Sequence, residues 1–174
     1  MFKKLLIMII LFGLAGGCAA LRGGPEEEIP LNVLPVITQA FASKELRVGD
    51  TWKIYLKASY PQGKMKYIVS WIDQPGGDPM PPSMTRIKDE NQKELSGFIY
   101  LNTGRAGNMM AFEQIILNVQ IQADVDHMSQ RIIFPLKFNT QGLQSKPPEG
   151  VFKEQDLGPV MIRLISSGEK GSSK

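Results

Sequence analysis

The chain has 174 residues, with 20 lysines and arginines against 17 aspartates and glutamates, one histidine and one cysteine, and a formal net charge of +3. A single cysteine excludes a disulfide within one chain, so an exported domain built from it must rely on its own hydrophobic core. Basic residues such as Lys53, Lys57, Lys64, Lys66 and Lys137 are dispersed at outward strand positions, the pattern of a solvated sheet face, which argues against nucleic-acid binding.

In chain order, Lys3 and Lys4 come first, then an apolar run from Leu5 to Leu14, then Ala15-Gly16-Gly17 directly before Cys18. A positive start, an apolar middle of about 7–15 residues and small residues at the cut are the parts of a secretory signal. The run is about half of the roughly twenty apolar residues that span a bilayer. The stretch resembles the signal of bacterial lipoproteins, in which the cysteine after the cut receives a diacylglyceryl group on sulfur and its freed amine is usually acylated. The resemblance implies that residues 1–17 are removed and that Cys18 becomes the lipidated first residue of the mature chain. That family prefers Leu three places before the cysteine, where this chain has Ala15 with Leu14 one place further out. Two or three acyl chains hold a protein on a membrane stably, where one holds it reversibly. Ala19, in place of the familiar retention residue Asp, implies the default outer-membrane destination. Loss of Lys3 and Lys4 with the signal brings the formal charge to about +1.

Residues 18–30 read as a tether. Gly23 and Gly24 loosen the backbone, Pro25 and Pro30 bar a helix, and Glu26 to Glu28 stay solvated. A flexible coil of about twelve residues averages roughly 20 Å end to end and reaches about 40 Å when extended. The domain is therefore expected to work close to its membrane.

From Leu31 to Ile165 the hydrophobic period is two, and roughly 135 residues suffice for one core. Thr51 to Ser59 sets Trp52, Ile54, Leu56 and Ala58 against Lys53, Tyr55 and Lys57; Gln114 to Val125 sets Ile115, Leu117, Val119, Ile121, Ala123 and Val125 against polar neighbours. Both are half-buried antiparallel strands. Further strands are expected at Pro35 to Phe41, Met65 to Gln74, Met84 to Lys88, Glu94 to Thr103, Arg131 to Asn139 and Pro159 to Ile165. Turn chemistry separates them at Gly49-Asp50, Pro61-Gln62-Gly63, Asp89-Glu90-Asn91, Gly104 to Gly107, Asp126 to Ser129 and from Gly142 onward. Residues 166–174 form a polar tail, expected to be disordered.

Seven to eight short strands in one domain imply an all-β antiparallel sandwich with an extra C-terminal strand. The chain here resembles the immunoglobulin-like modules of bacterial surfaces, including cadherin-like and polycystic-kidney-disease-type variants. The strand with Trp52, the next with an inward Trp71, and Gln114 to Val125 stand in the places of strands B, C and F. The bridge cysteines of antibody domains are absent, and Phe112 stands where a tyrosine corner is sought. Shared architecture says little about function.

Candidate chemistry is sparse. His127 lies in a polar turn with Asp126 and Ser129, residues too close in sequence to converge as a nucleophilic triad beside an oxyanion site. No Gly-rich loop leads from a strand into a helix, so no nucleotide site is expected, and no cofactor and no enzymatic activity. Met80, Met84, Met109, Met110 and Met128 fall in or beside loops. Thioethers with an imidazole are Cu(I) ligands, but methionine also fills gaps and adaptable contact surfaces, and the spacing Met80 to Met84 is not a tight metal repeat.

The feature with most functional content is a face. With Tyr67, Val69 and Trp71 inward, alternation turns Ile68 and Ile72 outward, and the same rule turns out Ile116 and Ile133. In an immunoglobulin-like sandwich these positions on strands C, F and G share one sheet, so four isoleucines form an expected partner-binding face. Alternatively the chain covers that face with Leu143 to Phe152. Pro135 marks strand G as an exposed margin. The loop from Pro75 to Ser83 is either a stiff connection or a pre-ordered contact. The resulting expectation is a lipid-anchored, non-enzymatic envelope module that binds or scaffolds another envelope protein. The alternative is a glycan-binding module using Tyr55, Tyr60 and Tyr100.

Overall fold

The computed structural model describes residues 34–73, 80–103, 114–124, 126–142 and 144–164. Cys18, the tether, the tail, Leu143, Met109, Met110, Phe112 and most of the proline loop lie outside the described residues.

Among the described residues there are ten strands: β1 (Val36–Ala42), β2 (Glu45–Arg47), β3 (Thr51–Ser59), β4 (Tyr67–Asp73), β5 (Ser83–Arg86), β6 (Glu94–Asn102), β7 (Gln114–Asp124), β8 (His127–Met128), β9 (Ile132–Asn139) and β10 (Asp156–Pro159). They form a four-stranded sheet in the order β1-β3-β6-β10 and a larger sheet in the order β2-β9-β7-β4-β5, with β8 paired to β7. Strands β3, β4, β6, β7 and β9 thus take the places of B, C, E, F and G of an immunoglobulin-like sandwich. Seven of the eight strands expected from alternation fall within two residues of their observed bounds. The short β2 and β8 have too few residues to show a period.

The core lies between the sheets. Trp52, Ile54, Leu56 and Ala58 from β3 and Leu95, Ile99 and Leu101 from β6 meet Ile115, Leu117, Val119 and Ile121 from β7 and Phe134, Leu136 and Phe138 from β9, all buried. Strands β3 and β6 pair antiparallel without a slip from Thr51↔Asn102 to Ser59↔Glu94, because a one-residue shift would turn the apolar set of both strands to solvent. Between β1 and β2 the chain crosses from one sheet to the other at Ser43, where the Trp52 indole N–H donates to the Ser43 carbonyl at 2.9 Å.

The C-terminal strand differs from expectation. It occupies Asp156–Pro159 and runs parallel to β6. Beyond it Val160, Ile162 and Leu164 are buried, keeping the alternation read from sequence, while the ladder stops. The reason is that the segment leaves β6 to bridge the sheets. The Thr85 hydroxyl on β5 donates to the Pro159 carbonyl at 2.8 Å, and the Met161 amide donates to the Ser83 hydroxyl oxygen at 2.8 Å. Gly97 permits the approach, since a Cβ there would stand 2.4 Å from the Gln155 carbonyl oxygen.

Candidate contact surface

Strand β4 reads Tyr-Ile-Val-Ser-Trp-Ile-Asp and is apolar on both faces, so alternation fixes a period but not which face is inside. The structure reverses the expected assignment. Ile68 and Ile72 are 1% and 3% exposed and belong to the core, with Ser70 between them fully buried. Tyr67, Val69 and Trp71 point outward and are half-buried. Large aromatic volume between the sheets is already supplied by Trp52, Phe134 and Phe138, and β4 fills its share with two isoleucines and a serine. Ile68 and Ile72 are therefore unavailable for a partner, whereas Ile116 is outward and half-buried and Ile133 is outward and 52% exposed.

The register brings a different apolar set together on the outer face of the larger sheet. Met84, Val69 and Gln120 form one cross-strand row; Trp71, Asn118 and Ile133 form the next; Asp73, Ile116 and Pro135 form the third. Met84 is 53% exposed. Asn118, in the middle row, is buried although it faces outward, and its amide N–H donates to the Asp73 carboxylate at 2.8 Å. That bond satisfies the Asn118 amide, as a buried amide requires, and the Gln120 amide in the first row donates to the Ser129 carbonyl at 2.9 Å. Sequence reasoning missed Val69, Trp71 and Met84. The available signal was Ser83, a small residue that turns inward on β5 and so sends Met84, and with it Val69 in register, to the outside.

The segment expected as a cover for this face lies on the other sheet. The Phe152 ring sits 5.6 Å from that of Tyr55, which also packs against Phe98 at 5.5 Å and Phe41 at 6.4 Å. Gln144 donates to the Thr51 carbonyl, the Ser145 amide to the Ser43 hydroxyl, and the Lys153 amide to the Ser96 hydroxyl. Residues 144–155 are thus a strap across the four-stranded sheet. Of the tyrosines considered for glycans, Tyr55 lies buried under the strap, Tyr60 is buried and Tyr100 is half-buried.

One titratable group under the strap carries a pH dependence. The Tyr55 hydroxyl donates to Glu154 at 2.9 Å, and Glu154 also meets Lys53 at 3.3 Å. Burial first, then the bond to Glu154 and its negative charge, push the Tyr55 hydroxyl up to about 12. The free phenol titrates near ~10. A group raised in the folded state contributes fully below its unfolded value and loses that contribution as pH climbs through the folded value. Wild type is therefore expected to lose stability between about 10 and 12 relative to Tyr55→Phe, which has no phenol to ionise. Urea midpoints of both proteins across that range check it, and a constant difference would refute it.

His127 Nδ1 lies 3.9 Å from Asp124, whose carboxyl Lys66 holds below its usual value. The Ser129 hydroxyl accepts from the Ile121 amide and donates to the Gln130 carbonyl, so it stitches β7 to the turn and is not poised as a nucleophile. Met80 packs half-buried against the core, and Met128 is half-buried in β8. Among the described residues no three His, Cys, Asp or Glu side chains gather as metal ligands. Pro81 and Pro82 are exposed. Pro135 falls outside the part of β9 that β2 pairs, Lys137 to Asn139, so strand G is a margin along its first half and covered along its second.

No family model matches the chain, and no curated protein matches it. Among solved structures it is similar to the PKD domain of an M14-like peptidase from a Thermoplasmatales archaeon, with a TM-score of 0.36 and 12% identity over 60% of this chain and 95% of that one. The chain's own strand order and pairing establish it as an immunoglobulin-like β-sandwich domain.

Proposed function

We propose that the chain is a lipoprotein of the bacterial envelope, held at the outer membrane by Cys18, whose sandwich is a non-enzymatic module that docks on another envelope protein. The observation that carries the docking reading is the set of three outward rows on the larger sheet, in which Val69 pairs with Met84, Ile116 pairs with Pro135, and Trp71 and Ile133 flank Asn118. Isolated exposed apolar residues are ordinary, whereas contiguous ones mark contact sites. Methionine and tryptophan suit such a surface, the first by adapting its shape and the second by contributing large area with few rotatable bonds. A partner of matching chemistry presents an apolar, weakly charged face, and the short tether restricts it to the neighbourhood of the same membrane.

Two variants test the two halves of the proposal. Cys18→Ser lacks the thiol that accepts the diacylglyceryl group and is expected to incorporate no labelled fatty acid and to leave the membrane fraction; equal label in both proteins would remove the anchor. Ile133→Gln is expected to keep stability within about 0.5 kcal/mol, as surface changes do, and to lose the envelope partner that the wild type retains after crosslinking. Undiminished capture by a stable variant would remove the face from the proposal.

A further inference from the structure

The outer face of the four-stranded sheet is divided in two. Its aromatic half, Phe41, Tyr55 and Phe98 in one cross-strand row, lies under the strap. Its polar half is open: Gln39, Lys57 and Ser96 form one row and Ser59 with Glu94 the next. Between this polar half and residues 150–153 of the strap runs a groove of about 750 Å³, bounded on the strap side by Val151, Phe152 and Lys153. Its size falls within the range of small-ligand sites, roughly 300–1,000 Å³, but such sites are usually lined by apolar groups. Here hydroxyls, an amide and charges predominate.

We infer that this groove is a binding site for a carboxylate-bearing saccharide. The lining decides the class in three steps. First, the floor strand β3 is paired on both sides, so its main chain is used; β6 meets β10 only from Phe98 onward, and an acidic peptide laid along Glu94 to Ser96 is the rival occupant that the oligoglutamate competitor tests. Second, the lining side chains are those that recognise sugar hydroxyls: the Gln39 amide, the Ser59 hydroxyl, and the Ser96 hydroxyl, which accepts from the Lys153 amide and keeps its own proton to donate, beside the Phe152 ring as a flat apolar edge. Third, Lys57 and Lys153 bring two ammonium groups against the single carboxylate of Glu94, and among the described residues neither lysine has an ion-pair partner. Two unpaired cations on a hydroxyl-rich groove favour an acidic sugar over a neutral one, since charge-assisted bonds are the stronger ones. This site is on the opposite sheet from the protein-docking face and does not depend on it.

Affinity electrophoresis of the full chain in detergent tests the site, with polygalacturonate as the acidic probe, dextran as the neutral one and oligoglutamate as a competitor. Wild type and Ile133→Gln are expected to be retarded equally by polygalacturonate and not by dextran. The double variant Lys57→Gln with Lys153→Gln, both exposed positions, is expected to keep the wild-type urea midpoint and to lose apparent affinity at least about tenfold, which two lost charge-assisted bonds more than cover. Absence of retardation, equal retardation by dextran, or an unaffected double variant would overturn the inference. Displacement by oligoglutamate at equal carboxylate concentration would overturn it too, reassigning the groove to an acidic peptide.

Discussion

Trp52→Ala is expected to leave the domain largely unfolded. Trp52 is fully buried on β3 in the middle of the core, and its indole N–H donates to the Ser43 carbonyl where the chain passes from one sheet to the other. Truncating a large buried aromatic costs about 3–5 kcal/mol, against a total stability of about 5–15 kcal/mol for a typical domain. The loss combines a cavity with an unpaired carbonyl at the crossover, so Trp52→Phe, which restores most of the volume, should recover part of the stability and keep the polar deficit of about 1–3 kcal/mol. Trp71→Ala is the control. Its side chain is outward and half-buried, and its removal should cost about 1 kcal/mol, the centre of the range for point changes. Urea unfolding of the three variants measures all of this. A Trp71→Ala protein as unstable as Trp52→Ala would mean that β4 presents the opposite face to the core.

Gly97→Val is expected to detach the C-terminal bridge. A Cβ at Gly97 would meet the Gln155 carbonyl oxygen at 2.4 Å and Leu157 Cγ at 2.9 Å. The first of these is backbone, and it is the acceptor for the Phe98 amide at 2.9 Å. The bulk must therefore push residues 155–157 off β6, and with them the Pro159 carbonyl that Thr85 holds. Overpacking of this kind costs about 1–3 kcal/mol. The readout specific to the bridge is hydrogen exchange. The amides of Val160, bonded to the Tyr100 carbonyl, and of Met161, bonded to the Ser83 hydroxyl, should lose protection while those of β3 and β7 keep theirs. Unchanged protection at Val160 would show that the bridge does not depend on the space at Gly97.

These two positions also show how far the fold was legible in the chain. Strands β3 and β7 keep a two-residue period over nine and eleven residues, with every polar group on one side and Ile116 the one aliphatic residue among them, and their inward faces follow from the sequence. In β4, apolar on both faces, the period is legible and its phase is not, and the outward residues are Val69 and Trp71 where alternation alone puts Ile68 and Ile72. The phase is set by competition for a limited core volume, a property of the other strands. Phe152 sits in a segment without periodicity, so its docking on Tyr55 is a tertiary contact about a hundred residues distant that nothing local encodes. The polar groove depends on the same strap and was hidden for the same reason. Ile116 and Ile133 point outward as alternation predicts, because β7 and the second half of β9 each have one unmistakably apolar face.

The docking face is tested most directly by a photoreactive side chain at position 133 in the acylated protein within intact envelopes, compared with one at Asn102, exposed on the outer face of the other sheet. Position 133 should yield one discrete protein adduct, absent from position 102 and weakened by Met84→Gln, which alters the neighbouring row without touching the core. No adduct at 133, or the same adduct from both positions, would contradict a partner seated on the larger sheet.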